Sequence, residues 1–233
     1  MFERFEQAGG QWLVSVAVDL DHLPQLRSLA LSRDNVYFSV GVHPNHEVES
    51  EPTVEQLCEL ADHPKCVAIG ETGLDFFRHR VSPEEQEARF RTHIQAAKAL
   101  NKPVIVHNRD ADVDVLRVMA EVGIKDCGGI MHCFSSDWPT AQASLDMNMS
   151  ISFTGNVTFK RNEELREVAA KVPENMLLIE TDSPYLTPEP FRGKRNEPSY
   201  VHNVVECIAR VRDVSVEALA EVTTTNAQQR FSV

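Results

Sequence analysis

Seven short apolar runs, rich in Val and Ile and nearly continuous, recur along the chain at fairly even spacing. They cover residues 12–18, 36–42, 66–70, 103–107, 128–132, 150–154 and 176–182. Continuous apolar strands, unlike alternating ones, suit a sheet covered on both faces, and such sheets are usually parallel. Helical patterns fill the gaps. Thr53-x-x-Gln56 is a capping box ahead of Leu57, Leu60 and Ala61. Ser82-Pro83-x-Glu85 is a second one, with Pro at the first helical position and Phe90, Ile94 and Ala97 following on one face. Val115, Met119 and Val122 continue the pattern up to a stop at Gly123. Asn162 precedes Leu165, Val168, Ala169 and Val172, with Pro173 as the terminator. Further helices are expected over 200–211 and 216–222, and a short one around Phe2 and Phe5 ending at Gly9-Gly10. Strand and helix alternate throughout, which is the βα pattern of an α/β protein, and residues 1–233 read as a single domain. A closed (β/α) barrel needs eight strands and seven are legible. The chain is therefore either an open doubly wound sheet or a (β/α)8 TIM-like barrel without its first strand.

The polar residues that close the runs carry the chemistry. Five runs end, on the carboxyl side, in His or a carboxylate: His43, Glu71 with Asp75, His107, His132, and Glu180 with Asp182. Barrel enzymes place catalytic groups at that face. Any one of these residues alone reads as a hydrogen-bonded loop residue, and Asp182 before Ser183-Pro184 as a turn former. Taken together, Glu71, His107, His132 and Asp182 form a set suited to Zn²⁺, Mn²⁺ or a similar ion. His43 is a weaker candidate ligand and suits a substrate contact or the orienting of a loop. Arg109, Arg192 and Arg195 are candidates for phosphate contacts, the latter two in the polar loop 191–198 after the last run, where barrels often hold phosphate. His22, His46, His63, His79, His93 and His202 read as structural or solvated residues.

Composition limits the partners. The net charge of −12 opposes unspecific adhesion to nucleic acid or anionic lipid. No run nears ~18 apolar residues, so no membrane span is expected. The five cysteines form no C-x-x-C pair, as expected of free thiols in a reducing cytoplasm.

Several stretches are long and ordered enough to carry a resemblance. They are Gly41-Val42-His43-Pro44, Gly70-Glu71-Thr72-Gly73-Leu74-Asp75, Val106-His107-x-Arg109-Asp110-Ala111, His132-Cys133-Phe134, Glu180-Thr181-Asp182-Ser183-Pro184-Tyr185-Leu186 and Arg192-Gly193-Lys194-x-Asn196-x-Pro198. Over nearly the whole chain these resemble the TatD family of metal-dependent hydrolases. The resemblance implies an amidohydrolase-like barrel using metal-activated water, most often a 3′–5′ deoxyribonuclease and in some members a D-aminoacyl-tRNA deacylase. It implies two divalent ions (Zn, Mg or Mn), with Glu71 bridging them, His107 and His132 on the second, and Asp182 on the first and acting as general base. The metals would then supply the attraction to DNA or tRNA that the net charge does not.

The resemblance also implies a His-x-His pair at the end of a first barrel strand, and none occurs in these 233 residues. Weakened binding of the first ion and reduced activity are therefore expected. Exposed edges at 12–18 and 176–182 are expected to invite association. A start upstream of Met1 is preferred to a degenerate member. Two alternatives remain: an ester or amide hydrolase at the same site, and a non-catalytic remnant barrel.

Overall fold

The computed structural model describes residues 1–78 and 80–233; the expectation for His79 lies outside the described residues. The chain divides into two compact units, each assembled from separate stretches.

The larger unit comprises residues 12–131, 146–149 and 231–233. It holds β1 (Leu13–Ser15), α2 (Leu23–Leu31), β2 (Val36–Val40), α3 (Val54–Leu60), β3 (Cys66–Asp75), α4 (Pro83–Leu100), β4 (Val104–Arg109), α5 (Asp112–Val122) and β5 (Gly129–Met131). The strands pair in chain order and all in parallel, with Leu13 opposite Val36, Val40 opposite Ile69, Gly73 opposite His107 and Ile105 opposite Ile130. Helices cover the sheet, and its side chains are accordingly buried: Val36, Phe38, Val40, Ile69, Val104 and Val106 on the strands, and Leu57, Phe90, Ile94 and Met119 on the helices, have essentially no exposure. Each such side chain is worth about 1.5–3 kcal/mol of transfer free energy.

The other unit comprises residues 1–11, 132–145 and 150–230. It carries α1 (Phe2–Gln7), most of α6 (Trp138–Asp146) and β6 (Met149–Phe153), α7 (Glu163–Lys171), β7 (Leu177–Ile179), α8 (Val201–Arg212) and nearly all of α9 (Val216–Phe231). Ile151 pairs with Leu177 in parallel. The Arg4 guanidinium on α1 grips the Glu197 carboxylate at 2.6 and 2.8 Å.

Both expected capping boxes are present, and Gly123 ends α5 at a φ of +75°. The differences have local causes. The first apolar run forms a ladder only over Leu13–Ser15, because the Ala17 N–H turns to the Ser39 hydroxyl and the Ala17 carbonyl accepts from Glu71. The last run stops at Ile179, so Asp182 stands beyond the strand, at a φ of +52°. Helix α9 runs past the expected 222 to Phe231, because Asn226 faces inward and donates to the carbonyls of Glu174 and Leu177. Helix α2 was not expected; its N-terminal His22 makes no side-chain cap, and Pro24 in the first turn is its one start signal.

Strand β3 is the exception in length: ten residues, every one buried. Beyond the apolar 66–70 it continues through Glu71, Thr72 and Asp75. It carries an extra residue relative to each neighbour. Phe38 and Ser39 are opposite Cys66 and Ala68, and Val104 and Val106 are opposite Ile69 and Thr72.

Candidate metal centre

In the larger unit, the carboxyl ends of β2, β3 and β4 bring His43, Glu71, Asp75 and His107 together. The His107 ring lies between two carboxylates: Nδ1 is 2.7 Å from Glu71 Oε1 and Nε2 is 3.3 Å from Asp75 Oδ2. The His43 ring meets it edge-on, with centroids 4.5 Å apart, and His43 Nε2 is 3.8 Å from Glu71 Oε1. Glu71 and Asp75 are four residues apart on one strand, so the period of two turns both to the same face. Both are buried, and Asp75 is 1% exposed.

Burial alone would raise the Asp75 carboxyl. Hydrogen bonding and charge from His107, with the N–H groups of Arg78 and Phe77, outweigh it and hold the carboxyl far below the usual carboxylate range. Asp75 is therefore a fixed anion. His43, Asp75 and His107 each offer a ligand atom, and these atoms lie within 4.8 Å of one another. Two imidazoles and a carboxylate are a donor set that Zn²⁺ or Mn²⁺ accepts, so the residues fit a divalent ion. The Asn45 N–H donates to His43 Nδ1 at 3.1 Å. In a neutral ring Nε2 is then the N–H donor, facing Glu71. Ligation by His43 gives up the Asn45 bond; donation to a substrate oxygen does not.

In the other unit, His132 Nδ1 is 2.5 Å from Glu180 Oε2, and His132 Nε2 is 3.7 Å from Asp182 Oδ1. The Cys133 N–H adds a 2.7 Å bond to Glu180. Burial would raise the Glu180 carboxyl, but His132, Cys133 and the Ser152 hydroxyl outweigh it and lower it. Asn196, buried in the polar loop, donates to the carbonyls of Thr181 and Tyr185 and so ties down the turn that carries Asp182.

Of the four residues expected as metal ligands, Glu71 and His107 thus meet in one unit, and His132 and Asp182 in the other. Sequence reasoning passed over Asp75 and Glu180 as site residues. The signal was present: each is two or four residues from an assigned residue, on a strand or just past its end. The three arginines expected to meet phosphate are all exposed. Arg109 lies over the Phe77 ring at 3.9 Å and Arg192 over the Phe159 ring at 4.3 Å; Arg195 lies in the exposed loop 192–195.

Comparison with known proteins decides the family. Residues 1–232 match the TatD related DNase family. The chain belongs to the TatD family. It is 46% identical over 224 residues to the uncharacterized metal-dependent hydrolase YcfH of Escherichia coli K12, covering 96% of this chain and 84% of that relative. A second TatD relative, named 3′-5′ ssDNA/RNA exonuclease TatD, from Escherichia fergusonii, is 36% identical over 97% of this chain and 89% of its own. Among solved structures, the TatD homologue YJJV of Escherichia coli K12 superposes with a TM-score of 0.93 at 27% identity, covering 99% of this chain and 90% of that one. The fold is thus the α/β, TIM-barrel-like fold of TatD hydrolases, and the protein is a metal-dependent hydrolase of that family. None of the described helices is long and apolar enough to cross a membrane.

Proposed function

We propose that the protein is a divalent-metal-dependent phosphodiesterase that removes nucleotides from the 3′ end of single-stranded DNA. The observation that carries this reading is the His43–Asp75–His107 cluster at the ends of consecutive parallel strands. The relative named as a single-stranded DNA and RNA exonuclease supports the choice of substrate.

A bound ion supplies Lewis acidity, polarising a phosphoryl oxygen and offsetting its charge. Asp75 and His107 would hold it, with His43 recruited from its Asn45 bond or left to donate Nε2–H to a phosphate oxygen. Glu71 orients His107 through Nδ1 and is a ligand candidate in its own right. Among the residues of the other unit, Glu180 fixes the His132 ring. Asp182, 3.7 Å from that ring, is the proposed acceptor of the proton lost by the attacking water. His132 and Asp182 are proposed as ligands of a second ion. Arg109, Arg192 and Arg195, all exposed, are proposed to meet phosphates. The five free thiols favour a reducing compartment, the cytoplasm.

The test is hydrolysis of 5′-labelled single-stranded DNA, with chelator and after Mn²⁺ is restored, beside a D-aminoacyl-tRNA. The expected result is stepwise 3′ shortening that chelator abolishes and that His107→Ala lacks. Release of the D-amino acid with intact DNA would replace this reading with an ester hydrolase at the same site. Neither reaction in the metal-loaded protein would favour a non-catalytic barrel.

A further inference from the structure

Helix α4 packs beside the candidate centre with an unusual face. Gln86, Arg89 and His93 are spaced i, i+3 and i+7, so they share one side of the helix. None is more than 2% exposed. Such a position normally takes apolar residues, and their partners explain the exception. Gln86 Oε1 accepts the Asp75 N–H at 2.8 Å, and Gln86 Nε2 donates to the Asp75 carbonyl at 3.2 Å and the Val81 carbonyl at 2.9 Å. Arg89 Nη1 donates to three carbonyls of one turn, His43 at 2.7 Å, Pro44 at 3.1 Å and His46 at 2.8 Å. Its Nε and Nη2 grip Glu51 at 2.8 and 2.5 Å. The Val42 N–H donates to His93 Nε2 at 3.1 Å. Asn45 links the two ends of the arrangement, its Nδ2 donating to the Asp75 carbonyl at 3.2 Å.

We propose that Gln86, Arg89 and His93 are positioning residues that fix the backbones of His43 and Asp75 in the geometry the metal centre needs. Three carbonyls turned inward onto one point repel one another, and a buried guanidinium is what makes that turn stable. For stability alone, a packed apolar side chain serves as well as a buried ion pair or better. The stripe therefore specifies one arrangement of the two residues rather than adding to the core. The proposal rests on the reading that Asp75 and His107 hold a cation beside His43.

The experiment measures Mn²⁺ binding by calorimetry, and the His43 ring nitrogens by NMR in the metal-free protein. The variants are Gln86→Met, Arg89→Lys and His107→Ala. Val118→Ala serves as control, leaving a cavity under α5 away from the stripe. Gln86→Met and Arg89→Lys are expected to unfold cooperatively in urea, to raise the Kd for Mn²⁺ about 10- to 100-fold, as residues supporting metal ligands do, and to shift the His43 nitrogens. Val118→Ala is expected to lose stability yet keep the wild-type Kd and His43 signals. Should Arg89→Lys not fold, Glu51→Gln, which loosens the guanidinium in place, carries the same expectation. Wild-type affinity in the stripe variants, or a change no larger than that of Val118→Ala, would overturn the positioning role. If His107→Ala still abolishes binding in that case, the metal reading stands alone. A wild-type protein that takes up no Mn²⁺ would overturn both.

Discussion

Acid should unfold this protein through His93. The tautomer of this ring is forced: the Arg89 carbonyl can only accept, so Nδ1 carries the hydrogen, and the Val42 N–H can only donate, so Nε2 is bare. Protonation would set a donor against a donor. Burial, with the nearby Arg89 charge, lowers the ring from 6.5 to about 4, against the raising influence of the Arg89 carbonyl and Glu51. The unfolded chain takes up this proton near pH 6.5 and the folded protein only near pH 4. Between those limits the unfolded state holds one more proton, so stability falls as the pH falls, by about 1.4 kcal/mol per unit. The total is about 3 kcal/mol, a large share of the ~5–15 kcal/mol typical of a folded protein. Above pH 6.5 this contribution is complete; below pH 4 nothing further is lost. Urea unfolding of wild type and His93→Gln between pH 4 and 8, in chelator, isolates it. The wild type should be the more stable at pH 7, and the gap should close by about 3 kcal/mol on reaching pH 4. Parallel curves across that range would refute the reasoning, because they would mean that the ring takes its proton equally in both states.

Asp75→Asn should weaken Mn²⁺ binding sharply in a calorimetric titration. In chelator it should cost about 2 kcal/mol, since the bonds from the Phe77 and Arg78 N–H groups lose their charged acceptor. Gly73→Ala should cost on the order of 3 kcal/mol or more in urea unfolding, because Gly73 sits at a φ of +139° and a Cβ there would press on the His107 carbonyl. Asn226→Ala should cost about 1–3 kcal/mol by the same assay, leaving the buried carbonyls of Glu174 and Leu177 without their donor.

What the sequence discloses and what it withholds differ in range. The capping boxes at Thr53 and Ser82 are legible because each is completed within four residues. His43, Glu71, His107, His132 and Asp182 are legible because strand ends gather chemistry, and the apolar run before each marks the end. The second half of β3 is less legible, since Glu71, Thr72 and Asp75 are polar yet wholly inside the sheet. Arg89 and His93 leave no trace at all. The partners that tie them to the centre are backbone atoms some 40 to 50 residues earlier, and no local pattern records a side chain that bonds to a distant backbone group. The division of the expected ligands between two units is likewise a product of tertiary contacts rather than of spacing.

The surplus residues of β3 also bear on how such a chain can change over time. On a strand, one residue more or less exchanges the two faces for everything downstream. Glu71 and Asp75 face His107 only while the count between Ile69 and Asp75 is kept. Substitutions within that stretch are graded by the side chain they introduce. A single inserted or deleted codon is not: it would turn at least one of the two carboxylates away from the imidazole while leaving their identities intact. The centre is thus written in length as much as in letters, and the helix-to-strand loops are where this chain can lengthen or shorten without cost to it.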